Sequence, residues 1–336
     1  MADVSIVVVA FDSWPDLGRC LASIADHPPR LAHEVIVVDN ASADGTAEQV
    51  ARGFPSVRLV ASATNDGYGA AVNRAVQQAT GRFLVLLNPD TEVTAGALDR
   101  LLAEAARPSV GVVGPRLVTG TGEPQPSARR FPSPLRTLVE TSRLHLLLPR
   151  EVRGRWLLGG YCDQDRSGEV DWVSGACHVM RREVWGAVGP LTEETFCGFD
   201  DFEYCWRARR AGYATRFCAE AEVRHAVGAS VGARWRRAEV ELLAVNNMYV
   251  LLPALWPRWR VRALALAEAA AALSDVATAA AHPVAARRDA TQGALARRRA
   301  RLLLRLASGR TAAVRRCEPA GVGAGDRDLV LGDRSR

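Results

Sequence analysis

Four short apolar runs in the N-terminal third, each separated from the next by a helix-like stretch, constrain this chain more than any other feature. Residues 4–10 (VSIVVVA), 34–40 (EVIVVDN), 57–60 and 82–88 (RFLVLLN) are rich in β-branched residues and apolar at consecutive positions. That pattern predicts strands buried on both faces. Segments near 15–25, 44–52, 69–79 and 94–106 read as the helices between them. Strands of this kind alternating with helices predict an α/β fold with a parallel sheet covered on both sides. In such sheets ligands bind beyond the carboxyl ends of the strands, which directs attention to residues 10–13, 39–42 and 88–90. The first strand runs into AFDSWPDLGRC. It lacks the G-x-G-x-x-G turn that lets backbone approach a dinucleotide pyrophosphate, which disfavours nicotinamide or flavin chemistry.

Beyond that region, residues 119–169 are rich in Gly, Pro, Ser and Arg and read as a long loop followed by an irregular or helical excursion. A strand is expected over 170–180, a helix from about 200 to the stop signal at Gly212, and short strands at 214–219 and near 222–225. From 231 onward the pattern is helical until a disordered tail at about 317. The expected division is therefore 1–230, a helical region 231–316 and a tail 317–336.

Charge divides the chain in the same way. Residues 1–230 hold 24 arginines against 28 acids, whereas residues 231–316 hold 16 arginines against 5 acids. A basic segment on a near-neutral front predicts an anionic partner for that segment. The seven cysteines are odd in number and form no C-x-x-C pair, which fits reduced thiols in a cytoplasmic setting. Met1 leads almost directly into the first strand with no basic leader, so no secretory signal is expected. The apolar stretch 242–256 is too short to span a bilayer and is broken by Asn246, Asn247 and Pro253.

Several acids and one imidazole carry candidate chemistry. Asp39, at the carboxyl end of VIVVD, is placed either to accept hydrogen bonds from a base or ribose or to cap the turn through Ser42 and Asp44. The stretch 65–73 (NDGYGAAVN) sets two glycines beside a helix start, where backbone N–H groups and the helix dipole favour anionic groups. Asn88-Pro89-Asp90 follows a buried strand, and a carboxylate there suits Mg²⁺, which takes one or two carboxylates and completes its shell with phosphate oxygens and water. Asp200 and Asp201 sit at a helix N-terminus with Glu203 nearby. Crowded carboxylates raise at least one pKa, as a general base requires. His225, ending EVRH, is a candidate metal ligand as a neutral imidazole.

In order along the chain, VSIVVVAFDS, EVIVVDNASADGT, NDGYGAAVN, FLVLLNPDTEV, VGVVGPRL, SARRFPSP, VDWVSGACHVMRREVW, FDDFEYCWRARRAGY and EVRHAVGAS resemble glycosyltransferase family 2. The likeness is strongest to its bacterial rhamnosyltransferase-like branch and covers about residues 3–230. It implies a GT-A fold and an inverting transfer of a sugar from a nucleoside-diphosphate donor (dTDP, UDP or GDP) to an acceptor hydroxyl, with Mg²⁺ or Mn²⁺. The best candidate sugar is a deoxyhexose such as rhamnose, and the acceptor a lipid-linked or cell-envelope glycan. By the same resemblance Phe11, Asp12, Asp39, Asn65, Asp66, Gly67, Asn73 and Asn88 hold the nucleotide sugar. Arg129 and Arg130 reach its diphosphate with guanidinium forks. Asp90 and His225 bind the metal, Asp201 is the catalytic base beside Asp200, and Trp172, Gly175 and Ala176 face the acceptor. Two segments depart from the family. Ala10-Phe11-Asp12 stands where Thr-Tyr-Asn is usual, and 191–197 (LTEETFC) lacks the usual Phe-rich approach to the acidic pair.

These departures keep a second acceptor class open, a soluble natural product or peptide. Residues 295–306 (LARRRARLLLRL), read as a helix, separate Leu295, Leu302, Leu303 and Leu306 from Arg297, Arg298, Arg301 and Arg305. That amphipathic pattern suits an anionic membrane at the inner face, or else a helix packed on the protein or pairing two chains in a homodimer. A non-catalytic reading, a basic nucleic-acid- or membrane-binding protein, stays as the alternative of another class. No nucleic-acid recognition motif occurs in the front region, so no nucleic-acid partner is expected.

Overall fold

The structure is a computed structural model that describes residues 2–142, 144–147, 149, 152, 164–226, 237–281 and 290–308. The expected tail 317–336 lies outside the described residues. The chain divides into two compact units. The first comprises Met1–Phe131, Glu151–Glu193 and Asp200–Arg234, and the second comprises Pro132–Arg150, Glu194–Phe199 and Trp235–Arg336.

The first unit is built on a ten-stranded sheet. Its N-terminal half contains β1 (Val4–Ala10), β2 (His33–Asp39), β3 (Arg58–Ala61) and β4 (Phe83–Leu87), paired in the order β3-β2-β1-β4 and parallel throughout. Every residue of β1 and β4 is buried, as expected of strands covered on both faces. Helix α1 (Asp16–Asp26) buries Leu17, Cys20, Leu21 and Ile24, the i, i+3, i+4 pattern of one helical face. Each of the two leucines and Ile24 contributes roughly 1.5–3 kcal/mol by leaving water. Helices α2 (Thr46–Gly53), α3 (Tyr68–Gln78) and α4 (Ala97–Ala105) complete the connections.

The other half of the sheet departs from the sequence reading. Residues 91–93 and 110–118 form β5 (Thr91–Val93) and β6 (Val110–Val118), neither of them expected as strands. In the long loop, β7 (Pro124–Gln125) and β8 (Ala128–Arg129) form short pairings. The expected strand over 170–180 is three pieces: β9 (Gly168–Val170), β10 (Trp172–Val173) and β11 (Cys177–Arg181). β11 is antiparallel to both β4 and β6. Helices α6 (Arg182–Val188) and α7 (Asp200–Arg210) follow, and 214–225 is one strand, β12 (Ala214–His225), with an irregularity between Cys218 and Glu222 in its pairing with β6. β5 pairs antiparallel with the end of β12, setting His225 opposite Thr91. Cys20, Cys177, Cys205 and Cys218 are buried free thiols.

The second unit contains α5 (Pro134–Thr141), a 3-10 turn (Leu144–Leu147), α8 (Arg237–Leu255), α9 (Arg258–Ala281) and α10 (Ala290–Ala307). Helix α9 packs against both α5 and α10. Ala300, Leu303 and Leu306 of α10 are buried in that packing, while Arg297, Arg298, Arg301 and Arg305 stay outward or partly outward. Of the alternatives open for 295–306, the buried Ala300, Leu303 and Leu306 favour a helix packed within the protein. The side chain of Leu295 lies outside the described set. Glu268 is buried in the same packing, and burial pushes its carboxyl up to about 7 against the pull of Arg299. Among the described residues no helix is long and apolar enough to cross a membrane.

Candidate active site

The carboxyl ends of β1 and β2 lie side by side, with Ala10 in register with Asp39. The loops that follow clasp each other: Asp12 N–H donates to Ser42 Oγ at 2.9 Å, and Ala43 N–H donates to Asp12 Oδ1 at 2.6 Å. Asp12 (φ 44°) and Ala41 (φ 66°) both adopt left-handed backbone. Such conformations cost on the order of 1–3 kcal/mol each and cluster where a loop's shape serves a ligand. Phe11, just before this turn, is half-buried.

Asp39 is only 4% exposed. Its Oδ2 takes a long bond of 3.4 Å from Ser42 N–H, and its Oδ1 is buried without a hydrogen-bond partner. Asn40 Oδ1 is in the same position, while Asn40 Nδ2 donates to Asn65 Oδ1 at 2.6 Å. An unmatched buried acceptor costs about 1–3 kcal/mol. Two of them at neighbouring positions fit a ligand that brings donors, such as a base N–H or a ribose hydroxyl.

The 65–73 segment is divided between ligand-facing and structural work. Gly67 (φ 93°) opens α3, and its N–H donates to Asn65 Oδ1. Gly69 meets the backbone of residue 192 so closely that a Cβ there would lie 2.2 Å from Thr192 O. Asn73 is 8% exposed, and its amide is spent on that same segment. It donates to Leu191 O and Glu193 Oε1 and accepts from Leu191 N–H. Asp66 is ion-paired with Arg74 at 2.8 Å and accepts from Thr64 Oγ1. Of this motif, the Asn65–Gly67 turn joins Asn40 beside Asp39, whereas Asn73 acts as a clamp on 191–193.

Beyond β4 the chain turns through Asn88, whose N–H donates to Ala176 O at 3.0 Å and whose carbonyl accepts from Thr91 Oγ1 at 2.7 Å. That turn projects Asp90 toward the end of β12, where Ala226 N–H donates to Asp90 O. Asp90 Oδ1 and His225 Nε2 are 3.4 Å apart, and both side chains are largely buried. The other ring nitrogen, Nδ1, lies 3.1 Å from Gln125 Oε1, and Gln125 Nε2 donates to His225 O at 2.7 Å. A proton on Nδ1, given to Gln125, leaves the Nε2 lone pair toward Asp90, the arrangement that orients metal-binding imidazoles. One carboxylate and one imidazole fit a divalent cation whose remaining ligands are phosphate oxygens and water. Among the described residues no group of three or more His, Cys, Asp or Glu is placed to hold an ion alone.

The acidic pair reaches the same edge of the sheet through β11. Asp201 Oδ2 accepts from Gly175 N–H and Oδ1 from Phe202 N–H, both at 2.8 Å. A Cβ on Gly175 would sit 3.1 Å from Asp201 Cβ, so glycine makes room for the carboxylate. Ala176 is buried and acts through its carbonyl, which holds Asn88. Asp200 is 7% exposed at the first turn of α7, where the helix dipole stabilises negative charge. Glu203 is committed elsewhere, to Arg207 at 2.6 Å. Burial, and then the charges of Asp200 and Asp201, push the Tyr68 hydroxyl above its ordinary value. Burial also holds His178 below its ordinary value while Asp201 pulls the other way.

Arg129 and Arg130 lie on and just after β8. The Arg129 guanidinium stands 5.1 Å over the Trp172 ring, and Arg130 is 3.7 Å from the Asp171 carboxylate, which Arg209 also contacts at 2.8 Å. Trp172 Nε1 donates to Arg130 O, and its ring meets Phe202 edge-on. Phe131 in turn packs on Phe202 and Trp206, so this aromatic cluster seats the start of α7.

Sequence reasoning passes over Gln125, Tyr68, Asp171 and the Phe131–Phe202–Trp206 cluster. Gln125 lies in a Pro-rich loop with no local periodicity, and only its pairing across β6 reveals it. Tyr68 sits inside the NDGYG stretch, where the glycines carry the stronger signal.

The strand ends set the scale of the site. β2 and β4 flank β1, so Asp39 and the Asn88 turn are two strand spacings apart, about 10 Å. The described contacts link Asp39 and Asn40 to Asn65, Asn88 to Ala176, Gly175 to Asp201, and Asp90 to His225.

Comparison with known proteins is consistent across sequence and structure. The model of glycosyl transferase family 2 matches residues 5–185. An N-acetylglucosaminyl-diphospho-decaprenol L-rhamnosyltransferase of Mycobacterium tuberculosis is 33% identical over 248 residues, covering 69% of this chain and 79% of the relative. A low-salt glycan biosynthesis hexosyltransferase of Haloferax volcanii is 23% identical over 227 residues, 66% of this chain and 67% of the relative. Among solved structures, a mannosyltransferase from Pyrobaculum calidifontis, in complex with GDP-Man and Mn²⁺, superposes with a TM-score of 0.54 at 22% identity. That match covers 92% of this chain and 86% of the other.

Proposed function

This chain belongs to glycosyltransferase family 2, and on that premise we propose that it transfers a deoxyhexose, with rhamnose the first candidate, to a hydroxyl of a lipid-diphosphate-linked saccharide used in a cell-envelope glycan. The chain is a nucleotide-sugar-dependent glycosyltransferase with the GT-A fold. The acceptor class rests on the mycobacterial relative, which covers two thirds of the chain and acts on a prenyl-diphosphate-linked N-acetylglucosamine. Family membership removes the non-catalytic alternative.

The observation that carries the assignment of roles is the unmatched Asp39 oxygen at the end of β2 and the Asp90–His225 pair beyond the Asn88 turn. Asp39, with Asn40 and Asn65 beside it, receives the donor's base or ribose. The diphosphate lies toward Asp90 and His225. Asp90 and His225 would hold a divalent cation, Mg²⁺ or Mn²⁺, which when bound would neutralise charge on the departing diphosphate. Asp201 accepts the proton of the acceptor hydroxyl as that oxygen forms its bond to the anomeric carbon. The bond to the diphosphate oxygen breaks, its electron pair leaves with the nucleoside diphosphate, and the anomeric configuration inverts. Gly175 N–H and Phe202 N–H hold the Asp201 carboxylate in place, leaving its remaining lone pairs for the incoming proton. Trp172, over which Arg129 lies, offers an aromatic face to a sugar ring.

The test is a transfer assay with dTDP-rhamnose and a short-chain prenyl-diphosphate N-acetylglucosamine in Mg²⁺. The expected product is the lipid-linked disaccharide with inverted anomeric configuration by NMR. No transfer from dTDP-, UDP- or GDP-deoxyhexoses to that acceptor, alongside transfer to a soluble aglycone, would move the reading to a tailoring enzyme.

A further inference from the structure

We propose that the outward face of α9, together with α5, docks on the surface of an anionic lipid bilayer. Helix α9 buries Val261, Leu264, Ala265, Ala269 and Ala272 inside its unit. The opposite face of such a helix is ordinarily polar. Here it carries Trp259 (70% exposed), Leu266 (54%) and Leu273 (49%). Seven-residue spacing stacks these three along one line, about 21 Å long at 1.5 Å per residue. Leu135 and Leu138 are exposed on α5, which packs against α9. Apolar side chains in a row, rather than scattered singly, mark a surface that meets something apolar.

Charge decides what that something is. The exposed positions of α9 between Arg258 and Ser274 include Arg258 and Arg262 and, among the described side chains, no acid. Arg260 lies 4.0 Å over the Trp256 ring. Burial and the neighbouring charge of Arg136 weaken its hold on its proton. Like charges gathered around an exposed tryptophan suit headgroup phosphates, with the indole at the interface and the arginine stems lying along the acyl boundary. A second copy of the chain fits less well. Between Trp259, Leu266 and Leu273 the same face carries only the small Ala263 and Ala270, and two copies paired along it would offer Arg258 and Arg262 no exposed acid among the described side chains of α9 to pair with. The helix lies on the bilayer and does not enter it, in keeping with the lack of a spanning helix among the described residues.

The test uses the full chain and two kinds of vesicle, phosphatidylcholine alone and phosphatidylcholine mixed with phosphatidylglycerol, read by co-sedimentation at low salt. The protein is expected to pellet with the mixed vesicles and stay in solution with the neutral ones. The double variant Leu266→Gln/Leu273→Gln is expected to lower binding by about tenfold or more, and Arg258→Gln/Arg262→Gln to lower it while removing most of its salt dependence. All four positions face outward, so circular dichroism melts should match the parent. Three outcomes overturn the proposal: equal pelleting of the Leu double variant, equal binding to both vesicle types, or a dimer in solution that the Leu variant dissociates while neither protein binds vesicles. None of these readouts involves sugar transfer, so the proposal stands or falls apart from the catalytic assignment.

Discussion

Asp201→Asn is expected to bind the nucleotide sugar with unchanged affinity and to lose about 10²–10⁴-fold in kcat, the usual contribution of a general base. Asparagine nearly matches aspartate in shape but cannot accept the acceptor's proton. Its amide oxygen replaces one of the two carboxylate oxygens that receive Gly175 N–H and Phe202 N–H. The NH₂ group then faces the other donor, so a modest stability cost of about 1–3 kcal/mol accompanies the kinetic loss. Donor affinity separates these effects, because Asp39 and the Asn65–Gly67 turn are untouched. Steady-state kinetics with calorimetric donor titration checks the expectation. Near-parental turnover in a folded variant would remove Asp201 from the role of base and turn attention to Asp200.

Asp90→Ala is expected to abolish the dependence of donor binding on Mn²⁺ and to lower transfer on the order of 10²-fold or more. The variant removes the carboxylate that faces His225 and leaves the imidazole to hold the ion without it. A single neutral ligand does not offset the cost of dehydrating a hard cation, which normally keeps one or two carboxylates. Without the ion, charge on the departing diphosphate goes uncompensated, and that compensation amounts to several kcal/mol. Nucleoside diphosphate should still bind weakly through Asp39. Electron paramagnetic resonance of Mn²⁺ titrated with nucleoside diphosphate and protein measures the effect directly. A parental Mn²⁺ affinity in the Asp90 variant would place the ion elsewhere.

Much of this arrangement is legible in the sequence because it depends on local pattern. The runs of β1, β2 and β4 are apolar at consecutive positions, and that alone predicts covered parallel strands with ligands at their carboxyl ends. Asp39 and Asn88–Asp90 fall at those ends for the same reason. What escapes depends on long-range pairing. β6 is missed because Gly111, Gly114 and Pro115 interrupt its apolar run. Gln125 gains its place beside His225 through an antiparallel pairing of β7 with β6, one hundred residues from its partner. Asn73 belongs to a stretch whose helix start suggests a ligand, yet its amide closes on residues 191–193, a segment with no pattern to announce it. The leucines of α10 look like a surface stripe because periodicity reports a face and not what covers it. The exposed row on α9 is diluted by alanines, which hide its outward tryptophan and leucines from the same reading.

Asp39, Asp90, His225 and Asp201 are expected to surround one sugar diphosphate, and a crystal structure with a nucleoside-diphosphate sugar and Mn²⁺ tests that arrangement most directly. The expected density has the nucleoside hydrogen-bonded to the Asp39 carboxylate and the ion held by the side chains of Asp90 and His225. The Asp201 carboxylate faces the anomeric carbon from the side opposite the diphosphate. A donor bound with its base away from Asp39, or an ion held by neither Asp90 nor His225, would contradict it.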